Sequence, residues 1–320
     1  MSSVRTDIPF TVNGGQRALS AALRSALRLM VKPMFHPAVP LGALRAGLRV
    51  SSAITLPARG VKYRSLDIEG LAAEQLTAGQ NQQGSVILYL HGGAYCVGSP
   101  GTHRALTSHL ALASGATLLV PDYRLAPEHP FPAAGDDALA AYLWLLDQGH
   151  LPEQVFLAGD SAGGGLALAT AMRIRDEQLP APAGMMLISP WVDLTHPRAT
   201  SAAQPKEYML SWPTLEHAAQ LYVGDRRTHP YVSPLLGELA NLPPIQIIVG
   251  SEEILLGDAE NLATALARSG VVTSLNVYRK MWHVFPIHAG LLETADLAIQ
   301  SMATFVTNPV ARETVSPVAS

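Results

Sequence analysis

Four stretches of this chain carry residues that could do covalent chemistry together. The first is Gly159-Asp160-Ser161-Ala162-Gly163 within "LAGDSAGGGLALATAM", which runs from an apolar stretch into a helical pattern. Its flanking glycines permit a sharp strand-to-helix turn that holds the Ser161 hydroxyl exposed on a strained backbone. The turn also puts the Ala162 N–H at a helix N-terminus, where it can bind developing negative charge. The bland alternative is a glycine-rich helix start; the strand–turn–helix context favours a nucleophile. A phosphate loop is disfavoured because no Lys-Ser/Thr follows.

The second stretch is His91-Gly92-Gly93-Ala94, directly after "LYL". Its glycines leave backbone N–H groups free to point into a site, as oxyanion donors do, against the alternative of an ordinary glycine turn. His91 reads as a brace for this loop and the nearby Cys96 as a small apolar wall residue.

A serine alcohol needs a base, and the base needs an orienting acid. Of eleven histidines, His283 in "NVYRKMWHVFP" follows the last apolar strand pattern and is the candidate base. His103 and His109 are spaced H-x5-H, which lacks the i,i+4 geometry of a zinc pair. His129 lies in a Pro-rich loop, His217 and His229 fall in or beside an insertion, and His288 reads as the start of the last helix. The acid candidates sit in "GSEEILLGD", after "IQIIVG": Glu252, Glu253 and Asp258, with Asp193 after "LISPWV" as a weaker alternative. Asp258 precedes a helical pattern and reads as its N-cap. Glu252 and Glu253 are neighbours, so in an extended segment only one can face His283.

These residues need a frame that brings strand ends together. Strand patterns fall at 85–90, 116–121, 154–159, 184–189, 245–250 and 273–278, with helical patterns at 102–114, 134–148, 162–177, 258–269 and 288–306. Continuous apolar strands alternating with helices predict an α/β fold with a mostly parallel central sheet and helices on both faces. Ligand sites in such sheets lie at the carboxyl ends of the strands, where the candidates fall. The expected organisation is an N-terminal helical cap segment at 1–55 without a strand and a core at 56–195. A cap insertion at 196–228, a second core part at 229–308 and a loose tail at 309–320 follow.

Composition narrows the class. The 320 residues are 48% hydrophobic and 15% charged, too apolar for a disordered chain. A formal charge of −3 without a Lys/Arg block gives no pointer to nucleic acid. The single cysteine excludes an internal disulfide and fits a reducing, cytoplasmic location. In "RALSAALRSALRLMVKPMF", Arg17, Arg24 and Arg28 interrupt any apolar run, which stays short of the ~18–20 residues of a membrane span. No stable membrane insertion is expected, and the segment lacks a signal peptide's apolar region and cleavage site. Its leucines recur at helical spacing, for packing on the protein or, alternatively, on a membrane surface.

Taken together, "HGGAYCVGS", "PDYRLAPEHPFPAAGDDA", "GDSAGG", "LISPWVDLT", "GSEEILLGDA" and "MWHVFP" resemble the hormone-sensitive-lipase-like branch of the α/β-hydrolases, the bacterial esterases of family IV. The match spans residues 85 to about 290 in the family's order. The resemblance implies a capped α/β-hydrolase fold and hydrolysis of small-molecule carboxylic esters without cofactor or metal. It implies Ser161 as nucleophile, His283 as base and oxyanion donors at Gly92, Gly93, Ala94 and Ala162. The chain order nucleophile, acid, base puts the acid in "GSEEILLGD". Two departures stand out. The family's His-Gly-Gly-Gly reads His-Gly-Gly-Ala here, and its Asp-Pro-Leu acid motif is missing. A subgroup with Glu-x-Leu-Leu fits better and maps the acid onto Glu253 of Glu253-Ile254-Leu255-Leu256. "DYRLAPEHPFPA" then supports the site from beneath.

The resemblance implies a serine esterase for short- to medium-chain esters, working through an acyl-enzyme, with lactones or aryl amides as alternative substrates. A serine peptidase is weaker, since no propeller or extended specificity domain is visible. The rival of another class is a small-molecule receptor on the same fold, as in gibberellin receptors, which lack the histidine retained here as His283. A homodimer, through an exposed edge strand near 273–278, is expected by family analogy.

Overall fold

The apolar runs become the centre of one sheet in the computed structural model, which describes residues 4–52, 55–79, 84–195 and 206–308. In chain order the elements are β1 (Val4–Ile8), α1 (Gly14–Ala26), α2 (Leu41–Ser52), β2 (Val61–Ile68), β3 (Leu71–Ala78) and β4 (Val86–Leu90). Next come α3 (Arg104–Ser114), β5 (Thr117–Pro121), α4 (Ala133–Asp147), β6 (Val155–Asp160), α5 (Ala162–Asp176) and β7 (Gly184–Ile188). The chain finishes with α6 (Trp212–Val223), β8 (Ile245–Gly250), α7 (Leu256–Arg268), β9 (Thr273–Tyr278) and α8 (Glu293–Thr307).

The strand order is β1-β9-β8-β7-β6-β4-β5-β3-β2. Pairings from β1 through β5 are parallel, and β3 joins β5 and β2 antiparallel. Side chains alternate between two cores, as the two-residue period of a strand requires. Val86, Leu88 and Leu90 of β4 enter the core shared with α4, α5 and α7, while Ile87 and Tyr89 enter the core shared with α3 and α8. Burial on both faces explains why these strands are continuously apolar rather than alternating. β6, which delivers Ser161, sits centrally between β4 and β7.

The structure differs from the sequence expectations at the sheet edges. β1 was not expected, because "VRTDI" has no apolar run; it pairs parallel with β9, Val4 to Ile8 alongside Ser274 to Tyr278. The strand at 273–278 is therefore not the exposed edge the sequence suggested. The β2–β3 hairpin also escaped the pattern, since most of β2 faces solvent. The last helix starts at Glu293, not His288, because a 3₁₀ turn (Phe285–His288) and Gly290, at φ 80°, interrupt it. The insertion's first part, 196–205, and the tail expected to be loose, 309–320, lie outside the described residues.

The N-terminal segment and the described part of the insertion touch each other. Thr214 Oγ1 donates to Phe35 O at 2.9 Å and Lys32 Nζ to Glu207 O at 3.0 Å. Among the described residues, no helix is long and apolar enough to cross a membrane.

Candidate active site

Ser161 stands at the junction of β6 and α5 with φ 54° and ψ −122°, a region an L-residue adopts only when its surroundings enforce it. Three bonds enforce it: Ser161 N–H donates to Ile188 O at 2.9 Å, and Ser161 O accepts from Trp191 N–H at 2.9 Å and Gly165 N–H at 3.2 Å. Gly163 must be glycine, because a Cβ there would run into Leu90 O and His91 O. The elbow is thus packed directly against the His91–Ala94 loop.

His283 Nε2 lies 3.0 Å from Ser161 Oγ, and both residues are buried. The histidine is carried by the turn after β9, between buried Trp282 and Val284. Behind it, Glu253 Oε2 stands 3.9 Å from His283 Nδ1, an ion-pair separation longer than a hydrogen bond. Glu253 is fully buried, and its Oε2 accepts from Ser189 Oγ at 2.8 Å and Gly250 N–H at 3.4 Å. Burial works against the charged form of His283, but the Glu253 carboxylate more than offsets it, with smaller help from Glu207 and Asp160, so the imidazole titrates above its ordinary value. Burial likewise holds the Glu253 carboxyl above its usual range, against the pull of His283 and Ser189.

Glu252 turns the opposite way. Its Oε2 accepts from Arg24 Nη1 of α1 at 3.3 Å and from Tyr208 Oη at 3.0 Å. Asp258 is not the helix N-cap the sequence suggested. α7 begins at Leu256, and Asp258 Oδ2 accepts from the Val192 and Asp193 N–H groups at 3.0 and 3.1 Å. Burial pushes its carboxyl up to about 7. Asp193 Oδ1 accepts from the Thr195 N–H and hydroxyl instead of a histidine.

A second charged pair lies under the glycine loop. Asp160 Oδ1 accepts from the Tyr89 hydroxyl at 2.8 Å and from the Gly92 N–H at 3.0 Å, while its Oδ2 lies 3.4 Å from His103 Nε2. Burial disfavours the Asp160 anion, but His103 and these donors more than offset it and hold the carboxyl below its ordinary range. Gly92 therefore needs correcting as an expected oxyanion donor, since its N–H is already engaged. No hydrogen-bond partner among the described residues engages the Gly93 and Ala94 N–H groups, and Ala162 opens α5, where no intrahelical acceptor exists for its N–H. His91 is the expected brace: it stacks on Tyr123 with centroids 4.3 Å apart, its Nδ1 lies 2.9 Å from Gly92 O, and its own carbonyl accepts from the Tyr123 hydroxyl.

A cavity of about 190 Å³ opens over Ser161 and His283, walled by Leu23, Leu27 and Val31, by Leu48, and by Leu215 across from them. Cys96 is not the wall residue of this cavity that the sequence suggested; it is buried in the core, where burial pushes its thiol up to about 12. His109 Nε2 meets Leu56 O and so is not paired with His103, and among the described residues no group of three His, Cys, Asp or Glu side chains could hold a metal. Sequence reasoning missed Ser189 and Asp160. Their positions, after β7 and inside the pentapeptide around Ser161, were the available signals.

A family model described as "alpha/beta hydrolase fold" matches residues 87–287. An acetyl-hydrolase of Streptomyces hygroscopicus is 43% identical over 227 residues, covering 70% of this chain and 76% of that protein. A carboxylesterase/phospholipase of Mycobacterium tuberculosis is 32% identical over 321 residues, covering 93% and 83%. The crystal structure of a hormone-sensitive lipase from a metagenome library superposes with a TM-score of 0.85 at 36% identity, over 92% of this chain and 98% of that one. The chain belongs to the α/β-hydrolase family, in its hormone-sensitive-lipase-like branch of carboxylic ester hydrolases. Carboxylesterase or acetyl-hydrolase activity is the chemistry of that branch.

Proposed function

We propose that this esterase hydrolyses short- to medium-chain carboxylic esters through an acyl-enzyme on Ser161, with His283 as base and Glu253 as the orienting acid. The 3.0 Å approach of His283 Nε2 to Ser161 Oγ at the floor of an apolar cavity carries the reading. His283 takes the Ser161 proton as Oγ attacks the ester carbonyl. The oxyanion is held by the N–H groups of Gly93, Ala94 and Ala162, each worth ~10²–10³ in rate by analogy with single-donor removals. Collapse of the intermediate breaks the bond to the alcohol oxygen, which receives the proton from His283. Water then repeats the sequence on the acyl-enzyme, releasing the acid and restoring Ser161. Glu253 stabilises the imidazolium by its charge across the short buried gap.

The apolar wall supports acyl chains over sugars or peptides, because a buried polar group left unpaired there is costly. The test is Ser161→Ala against wild type on p-nitrophenyl acetate, butyrate and octanoate. Loss of kcat on the order of 10⁶-fold is expected; turnover near wild type would overturn the assignment.

A further inference from the structure

We infer that residues 14–52 form a docking face for an anionic lipid surface, built on the outer side of the elements that wall the reaction cavity. The charge pattern is the first observation. From Ile8 to Leu66 the sequence contains no acidic residue, while Arg17, Arg24, Arg28, Lys32, Arg45 and Arg49 fall within 14–52, in a chain of net charge −3. Arg24 and Arg45 are paired with Glu252 and Glu128. Arg28 makes no ion pair among the described residues and shares a surface cleft with Lys32, Lys206 and Glu207, whose carboxylate is taken up by the N–H groups of Met209, Leu210 and Ile254.

The second observation is apolar exposure on the same elements. Leu29 is 74% exposed, Met30 68% and Val50 73%. Leu29 and Met30 lie on the short turn (Leu27–Val31) whose Leu27 and Val31 line the cavity. Val50 lies on α2 beside cavity-lining Leu48 and Ser51. These elements therefore present apolar side chains inward to substrate and outward to solvent.

Exposed aliphatic groups among unpaired cations suit a bilayer's interfacial zone. The aliphatic groups enter the acyl boundary, and the Lys and Arg heads stay with anionic headgroups. A nucleic acid would use the cations but not the leucine and methionine. A second copy meeting this face symmetrically would set the cations against themselves. Delivery of a lipid ester from that surface into the cavity rests on the proposed esterase mechanism; the docking does not.

The experiment is flotation of the full chain with vesicles of phosphatidylcholine alone and of equimolar phosphatidylcholine and phosphatidylglycerol. Wild type should float with the anionic vesicles only, and added salt should release it by screening the cations. Arg28→Glu should weaken that binding about fivefold or more, on the worth of one cation near an anionic surface. The double variant Leu29→Glu/Met30→Glu should abolish it. Both should hydrolyse a soluble p-nitrophenyl ester at the wild-type rate, which also reports that they fold; if wild type shows no hydrolysis, circular dichroism reports folding and flotation still reads docking. The inference is overturned if wild type stays off the anionic vesicles or if the variants float like wild type. It is equally overturned if sedimentation shows a dimer that the double variant splits without any vesicle binding.

Discussion

The Ser189 hydroxyl donates to Glu253 Oε2 across 2.8 Å while accepting from the Val284 N–H at 3.1 Å. One buried hydroxyl thus holds both the carboxylate and the loop that carries His283. Ser189→Ala leaves Oε2 with the 3.4 Å contact from the Gly250 N–H beside the longer His283 ion pair, and strands the Val284 N–H. Misplacement of a member of the proposed triad by a fraction of an ångström to 1 Å predicts a kcat lower by about 10- to 100-fold with little change in KM. The stranded donor predicts a stability loss of about 1–3 kcal/mol. Steady-state kinetics and thermal denaturation check both; an unchanged kcat would show that Ser189 positions nothing.

Glu252 and Glu253 differ in what they face, and their amides should differ in effect. Glu253→Gln removes the charge beside His283 and should lower kcat on the order of 10²–10⁴-fold. Glu252→Gln, which only loosens contacts to Arg24 and Tyr208, should stay within about threefold, because part-exposed pairs are worth little. The pH profile separates the roles further. In the proposed mechanism His283 must be neutral to take the serine proton, and its pKa is raised above 6.5, so kcat/KM should rise with pH through a midpoint above 6.5. Glu253→Gln should move that midpoint down. In stability terms the His283 contribution is complete below 6.5 and fades as pH rises through the raised value. A midpoint unmoved by Glu253→Gln would detach the carboxylate from the imidazole.

What the sequence disclosed follows the physics of each element. Strands β4 to β8 were legible because burial on both faces makes them almost continuously apolar; Ser161 was legible because it directly follows β6, and His283 because it lies in the turn after β9. β1 and β2 were not, since an edge strand can be polar and draws its stability from backbone pairing. Asp258 was misread because its position before a helical pattern fits a cap, whereas tertiary N–H groups at Val192 and Asp193 outcompeted the helix for its oxygen. Gly92 was misread for a similar reason: a backbone donor's direction depends on Asp160, which the motif treats as a variable position.

Asp258 should make the protein less stable as pH rises. Burial first, then the Asp193 and Glu253 charges, lift its carboxyl from 3.8 to about 7 against the two backbone donors. The folded state therefore keeps a proton that the unfolded chain has released. The sign is a loss of stability between about pH 4 and pH 7, by up to about 1.4 kcal/mol per pH unit. Asp258→Asn keeps an acceptor for Val192 and Asp193 and should flatten this slope. Urea denaturation at about pH 5 and about pH 8 measures it, and the variant should be the more stable protein at the higher pH. A wild-type slope retained in the variant would assign the titration elsewhere.

Ala94 occupies a position built for glycine. Its φ is 52°, followed by Tyr95 at 62°, and an L-residue in this left-handed region costs roughly 1–2 kcal/mol. Ala94→Gly relieves that strain and at the same time frees the unfolded chain, which takes back about 0.4–1 kcal/mol. The balance predicts a stability gain between about zero and about 1.6 kcal/mol, read as a higher melting temperature. Ala94 also lines the cavity, so removing its methyl should widen the space beside the proposed oxyanion donors. Bulkier acyl groups should gain in kcat/KM relative to acetate, whereas a loss across the whole ester panel would mean that the methyl is needed to hold the Ala94 N–H in place.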